Sequence, residues 1–406
     1  MISILDKSKC CGCTGCYSIC PKNAIEMKAD NEGFLYPNVD KEKCISCGLC
    51  ERVCPYYTHN GSKKATSDYY AIQNADENKR AKSTAGGAFS LIADYLLGEN
   101  AVVFAADYDN MIVCHKKATD SKALEGMRGS KYVQSNLGET FSVIKNLLQK
   151  GRTVLFVGTP CQTHGLFNYI GQNENLYIMD LLCLGVSSPR LFSEWIYYLN
   201  TKYQSNVINV QFRNKHYGYS VPNVRVFFEN GKEFDQRYDS RVHANLFFRH
   251  LNVRPSCYVC EFRESPRISD FTIGDFNNIG SVHNAFDDDL GTTKLWAHTE
   301  KGKAVLDHVR ESSRYFLVQT NHPNIIGGPK KMFSIPEKRD AFFEDARNMG
   351  GYLELVKKWE PLNVKSVLAS VARPIINMLP FKSYVFKALR RRKSAKFQKT
   401  VKEVNS

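Results

Sequence analysis

Nine of the fourteen cysteines fall between residues 10 and 54, and their spacing is that of a metal-cluster ligand set. Cys10, Cys13, Cys16 and Cys20 read C-x2-C-x2-C-x3-C and run into Pro21. Cys44, Cys47, Cys50 and Cys54 repeat the pattern at a constant offset and run into Pro55. Three thiolates two residues apart let one loop wrap three corners of an iron–sulfur cubane, while the fourth is carried away on the next turn and reaches the other cluster. The spacing therefore pairs Cys10, Cys13 and Cys16 with Cys54 around one [4Fe–4S] cluster, and Cys44, Cys47 and Cys50 with Cys20 around a second.

The stretch resembles a bacterial-type dicluster ferredoxin. Gly12, Gly15 and Gly48 suit loops whose amides must turn toward sulfur. Residues 24–40, with Gly33-Phe34-Leu35-Tyr36 at their centre, read as a short hairpin. A module this small buries little core, so the clusters are expected to hold it folded. Zinc would use C-x2-C pairs as well, but gives no reason for the doubled C-x3-C-P. A disulfide framework needs an oxidising compartment, and Met-Ile-Ser-Ile-Leu-Asp-Lys at the start shows no secretory pattern. The reading is of a protein of the reducing cytoplasm. Cys11 lies off register and receives no assignment.

Beyond a polar segment at 56–68 the pattern changes. Strands are predicted over 68–73, 101–106, 112–116, 153–157 and 176–182, alternating with helices over 89–97, 141–148 and 191–199. That alternation predicts an α/β sheet with its sites at the strand C-termini. Further on, strands are expected at 207–212, 224–228, 271–273 and 295–297, and helices at 304–309 and from 340 to 359. The whole is an α+β chain: a dicluster ferredoxin domain (1–58), an α/β domain with a central sheet (67–340) and a helical, basic tail (341–406).

Four places in the body carry possible chemistry. Ser83-Thr84-Ala85-Gly86-Gly87 precedes a helix, which suits either phosphate binding or tight helix–sheet packing. Gly158-Thr159-Pro160-Cys161-Gln162 follows a strand; Thr159 suits an N-cap and Pro160 the first helical position, so Cys161 is either a thiolate favoured by the helix dipole or an inert buried cysteine. Cys183 ends the next strand, and neighbouring parallel strands bring their C-termini together. Cys257 and Cys260 form a C-x2-C pair. Cys161, Cys183, Cys257 and Cys260 are enough for a third [4Fe–4S] cluster, which leaves Cys11 and Cys114. Asp287-Asp288-Asp289 lacks calcium-loop spacing and reads as a solvated loop. His216, His243, His250 and His283 are scattered and unassigned.

In family order over roughly 70–310, the body resembles the β subunit of coenzyme F420 hydrogenase/dehydrogenase. The landmarks are the Ser83…Gly86-Gly87 turn, Gly129-Ser130-Lys131-Tyr132, Gly158-Thr159-Pro160-Cys161-Gln162, Asp180…Cys183-x-Gly185, Ser188-Pro189, the Cys257/Cys260 pair and Ile273-Gly274-Asp275. The resemblance implies a non-covalent FAD, a [4Fe–4S] cluster beside it on Cys161, Cys183, Cys257 and Cys260, and hydride exchange with a deazaflavin or related acceptor. It carries Ser83, Gly86, Gly87, Lys131, Thr159 and Asp275 to the flavin pocket; Lys131 would stabilise charge on the reduced ring, or else is a solvated loop lysine. Leu184 and Phe276-Asn277 depart from the family pattern and leave the acceptor open. The implied activity is an FAD- and iron–sulfur-dependent oxidoreductase acting on a deazaflavin or a biosynthetic small molecule. The other reading is an electron-relay subunit with catalysis in a partner chain.

The net charge of +14 does not indicate a nucleic-acid surface. Residues 363–406 hold eleven Lys or Arg against one Glu, so ten of the fourteen positive charges sit in the tail. Its apolar stripe beside Arg390-Arg391-Arg392-Lys393 suits an anionic membrane surface, which would place the protein peripherally at the inner face of the cell membrane. The expected partners are a redox protein or ferredoxin and a small-molecule acceptor.

Overall fold

The computed structural model describes residues 1–58, 67–221, 223–235, 237–263, 267–318, 334–362 and residue 372. The first 58 residues wrap two cysteine loops around a hairpin. Strands β1 (Ile25–Ala29) and β2 (Leu35–Val39) pair antiparallel, with Ile25 opposite Val39 and Ala29 opposite Leu35. Each cysteine triplet turns into a short helix, Gly15–Ile19 and Leu49–Arg52, entered through a left-handed residue (Thr14, Gly48). The local core is Ile2, Ile25 and Val53 with the side chains of Cys16, Cys50 and Cys54. Half of that core is sulfur, as expected of a module held by its clusters.

The body is built on β3 (Asp68–Asn74), β4 (Val102–Asp109), β5 (Ile112–Ala118), β6 (Val154–Gly158), β7 (Leu176–Leu181), β8 (Val207–Asn214), β9 (Asn223–Phe228), β10 (Glu233–Asp235), β11 (Phe271–Asp275), β12 (Thr293–Ala297) and β13 (Ser313–Leu317). Eight strands form one mixed sheet in the order β13-β3-β12-β11-β7-β6-β4-β5. β4, β6, β7 and β11 run parallel. β12 is antiparallel to both β11 and β3, so β3 points the same way as that central set. β6 is buried along its whole length, which is why Val154-Leu155-Phe156-Val157 reads as an unbroken apolar run. Its alternate residues serve two layers. Leu155 and Val157 pack with Leu91, Ile92 and Leu96 of the helix Ala88–Gly98. Val154 and Phe156 pack with Phe141, Ile144 and Leu166 of the helices Thr140–Gln149 and Pro160–Ile170.

The meander β10-β9-β8 forms a second sheet. Its core joins Phe212, Val224 and Val226 to Phe192 and Trp195 of the helix Pro189–Tyr203 and to Val242 and Leu246 of the helix Tyr238–Phe248. The single helix expected from 340 to 359 is two, Arg339–Asn348 and Tyr352–Trp359. Gly350-Gly351 breaks it, with Gly351 at φ 145°, and both halves still reach the same core. The helix Tyr238–Phe248 and the strands β10 and β13 were not predicted; β10 is three residues long and β13 is a partly exposed edge. The Asp287–Asp289 run lies at the surface, with Asp288 exposed, and two of its carboxylates are engaged: Asp288 takes a bidentate pair from the buried Arg80 and Asp289 accepts from the Ser220 amide. The basic tail lies outside the described residues. Among the described residues no helix is long and apolar enough to cross a membrane.

His243 shows how tightly the second core closes. It is fully buried, stacks on Trp195 at 5.4 Å and sets Nε2 3.1 Å from Ser187 Oγ. Burial pushes its imidazole down to about 3. The folded chain therefore keeps His243 neutral where the unfolded chain binds a proton, so this contribution to stability is lost as pH falls from 6.5 toward 3. Between about pH 7 and pH 5.5 the wild type should lose about 1 kcal/mol more than His243→Asn in matched denaturant unfolding. Parallel losses in the two proteins would show that His243 titrates normally.

Candidate metal centre

The crossed pairing of the N-terminal cysteines is visible in their neighbours. Cys13, Cys16 and Cys54 are buried and Cys10 is half-buried. The Cys16 thiol is raised well above its ordinary value by burial, then by Cys13, Cys10 and Cys54. Burial pushes Cys54 up to about 12, with Cys13 and Cys10 adding to the effect. These four side chains thus keep company, and Cys20 is not among them. Backbone amides of Gly12, Gly15 and Tyr17 donate to Cys10, Cys13 and Cys16 in turn. The other four thiols, Cys20, Cys44, Cys47 and Cys50, line one cavity together with Ile25, Val39 and Leu49. The Ile2 and Ala24 amides each donate 3.3 Å to Cys50 and Cys20. Cys47 is exposed, so this outer set faces solvent while the inner set faces the body.

The third group of thiols is assembled by the sheet. β6 ends at Gly158, and the parallel pairing sets Gly158 beside Asp180 of β7. Thr159 then caps the helix Pro160–Ile170: its amide donates to Gln162 Oε1 at 3.0 Å, and its Oγ1 lies 3.3 Å from Cys161 Sγ. Cys183 follows the end of β7, and the Gly185 amide donates to its Sγ at 3.3 Å. Cys257 rides on the short helix Pro255–Tyr258. Burial raises Cys257, and so do Cys183, Cys161 and Cys260. Burial also pushes Cys183 up to about 12 and Cys260 up to about 11, each with Cys161 as the next cause. The four thiols are neighbours.

A buried ion pair sets this meeting. Arg267, after Cys260, reaches Asp180, before Cys183, at 3.2 Å, with side chains 1% and 0% exposed. Thr272 Oγ1 donates to the other Asp180 oxygen at 2.5 Å. The two chain segments that carry Cys183 and Cys260 are thereby pinned to one point of the sheet.

The inner set and the third set also touch. Cys11, unassigned from spacing, is buried beside Cys13 and Cys161; these neighbours raise it well above its ordinary value, and it in turn lowers both of them. Gln134 Nε2 donates 3.0 Å to the Cys11 carbonyl. Gly165, in the helix that begins beside Cys161, lies flat on Cys13; a Cβ there would come 2.6 Å from Sγ. Tyr56 packs edge-on against Phe262 at 5.1 Å. Among the described residues, no group of three or more His, Cys, Asp or Glu side chains is drawn in around a point where a metal ion could sit. The thiols form three neighbourhoods, each with four cysteine sulfurs and few other polar groups, and soft thiolates without oxygen ligands are the donor set for iron–sulfur chemistry.

The residues assigned to the flavin by resemblance divide. Gly86 is packed into the sheet, where a Cβ would meet the Ile72 carbonyl at 2.2 Å and the Thr293 amide at 2.6 Å. Gly87 starts its helix at φ 86° over Asn74, and Ser83 Oγ donates to the Lys79 carbonyl. The next residue, Thr84, meets Ser130 at 3.1 Å. Lys131 is half-buried rather than solvated: Nζ donates to the Gly126 carbonyl at 2.5 Å and lies 5.5 Å from the Tyr108 ring. Burial pushes its ammonium down to about 8. Asp275, at the end of β11, pairs with Arg213 at 3.1 Å, and Arg213 also meets Tyr132. Thr84, Ser130, Lys131, Tyr132, Thr159, Arg213 and Asp275 thus follow the edge where the parallel strands end. Arg213, Gln134 and Arg254 were missed by sequence reasoning, since nothing in their local sequence marks them.

Cysteine loops docked on a mixed sheet, with a third thiol set at strand C-termini, define an iron–sulfur electron-transfer protein. Residues 9–58 match the 4Fe-4S dicluster domain. Residues 151–322 match the family described as the C terminus of the coenzyme F420 hydrogenase/dehydrogenase beta subunit. Among solved structures, a chain of the xenon-derivatised F420-reducing [NiFe] hydrogenase complex from Methanosarcina barkeri is similar with a TM-score of 0.45 and 14% identity, covering 75% of this chain and 95% of that one. No curated protein matches.

The Asp180–Arg267 pair can be tested alone. Asp180→Asn keeps the shape but leaves the Arg267 charge buried without its partner, so unfolding stability should fall by about 3–5 kcal/mol. Iron bound per chain should drop in the same variant while the outer cysteine set still loads. Unchanged stability and iron content would show that the pair does not set the third site.

Proposed function

We propose that the protein is an oxidoreductase that moves electrons between an external one-electron carrier and a small-molecule acceptor. Two [4Fe–4S] clusters would be held by the inner (Cys10, Cys13, Cys16, Cys54) and outer (Cys20, Cys44, Cys47, Cys50) thiols. A third would be held by Cys161, Cys183, Cys257 and Cys260, and FAD would lie along the edge marked by Lys131, Thr159 and Asp275. The observation that carries this reading is Cys11, one thiol in contact with both Cys13 of the inner set and Cys161 of the third. It supports a direct approach between the inner group and the third. When bound, the clusters supply one-electron chemistry and the flavin converts it to two-electron hydride exchange.

The chain's own residues supply the setting. The body covers the inner thiols and keeps water from them, while Cys47 stays at the surface within reach of a carrier protein. Arg213 and Lys131 offer positive charge along the strand ends, and Lys131 can exchange a proton near neutral pH. The flavin reading is supported by this edge and not by Gly86, whose open side is filled by backbone. The acceptor would be a deazaflavin or a biosynthetic compound such as a sugar-linked intermediate. One observation favours the relay alternative: Leu184, 37% exposed between Cys183 and Gly185, offers no proton beside the third site. A cytoplasmic setting, with the basic residues 363–406 on an anionic membrane, completes the proposal.

Anaerobic reconstitution tests it. The expected result is about twelve irons per chain, stoichiometric FAD, and acceptor reduction by the isolated chain with dithionite. Full iron without FAD would leave the relay. Fewer than about eight irons would remove the dicluster reading itself.

A further inference from the structure

Arg254 is 1% exposed, and its guanidinium lies where the first cysteine loop meets the body. Nε donates to the Cys10 carbonyl at 2.8 Å, Nη1 to Gln134 Oε1 at 2.8 Å, and Nη2 to the Leu35 carbonyl at 2.9 Å and to Cys10 Sγ at 3.6 Å. The Tyr36 ring covers it at 4.3 Å. None of these partners is a carboxylate. A guanidinium stays charged, and a buried charge is costly unless an opposite charge faces it. The group it touches that can carry negative charge is the Cys10 thiolate, and through it the cluster of the inner set.

Among the described residues the outer set has no such buried cation; Lys22, which lines the same cavity, is exposed. The Met1 ammonium, near Cys50 and Cys44, belongs to an exposed residue and is held by Glu51 at 2.9 Å. Water and that carboxylate screen it. A cluster gains one negative charge on reduction, so a desolvated cation and an N–H···S bond favour its reduced form, and hydrogen bonds to sulfur raise the potential.

We infer that Arg254 sets the reduction potential of the inner cluster above that of the outer one and so draws electrons inward. A reduced one-electron carrier protein gives one electron at the outer site. The outer site is reoxidised as the inner site is reduced, toward Cys161, and no proton moves because Arg254 stays charged. The inference rests on the iron–sulfur reading above.

The test is an anaerobic potentiometric titration of the full-length, reconstituted chain, followed by electron paramagnetic resonance. Arg254→Gln removes the charge. Gln134→Glu keeps the guanidinium but sets a carboxylate against it. Arg254→Lys keeps a charge, and Glu51→Gln marks the midpoint of the outer set. With iron content retained, Arg254→Gln and Gln134→Glu should each lower a midpoint other than the marked one, by at least tenfold in the reduction equilibrium, or 59 mV for one electron. Arg254→Lys should hold most of it. If Arg254→Gln does not load iron, Gln134→Glu carries the test. Midpoints that stay put, or an equal fall in the lysine variant, would overturn the inference. A wild type without the cluster signals would instead end the reading beneath it.

Discussion

The first cysteine loop has to lie flush on the body, and much of the surrounding structure serves that contact. Three glycines make it feasible. At Gly12 a Cβ would press on Gln134 and Arg254, at Gly165 on Cys13, and at Gly33 on Arg190 at 2.3 Å. Gly12 and Gly33 also take positive φ, which side chains rarely adopt. With no side chain at these points, backbone meets backbone, and the carbonyls of Cys10, Cys11 and Leu35 are taken up by Arg254 and Gln134. A buried carbonyl without a donor would cost about 1–3 kcal/mol, so the loop is stable only in this seat.

The same seat explains why the thiols are poised for metal. Burial raises six of the eight thiols of the inner and third sets, so that without a cation those six prefer the neutral thiol. A bound cluster would supply the missing positive charge and would couple loading to closure of the fold. The outer and third thiol sets differ in kind. The outer set rests on a small core and an exposed Cys47, whereas the third set is fixed by a fully buried ion pair.

How much of this was legible beforehand depends on how local the information is. The cysteine spacing is local, and so is the alternation of strand and helix through 199. Cys161 and Cys183 could be paired because adjacent parallel strands end side by side, a rule of topology rather than of sequence. Arg254 could not be found this way: it acts on Cys10, 244 positions away, and its neighbours Val253 and Pro255 announce only the start of a helix. Cys11 was set aside because it breaks the spacing, and that offset is what lets it reach Cys161. The Ser83–Gly87 turn admits two readings by pattern, and the atoms facing Gly86 agree with tight packing. The helix from 340 to 359 failed at Gly350-Gly351, where an apolar stripe continues across a break in the backbone.

One clamp has a consequence for the order of events. The hairpin turn beside the first loop is held from far along the chain: Arg339 grips Glu32 through two bonds, at 2.9 and 2.5 Å, and its Nη2 also donates to the Val253 carbonyl. Arg339 leaves the ribosome hundreds of residues after the first cysteines. In chain order the Arg339 clamp on the hairpin turn therefore comes last, after Gln134, Arg190 and Arg254 have already reached the same segment.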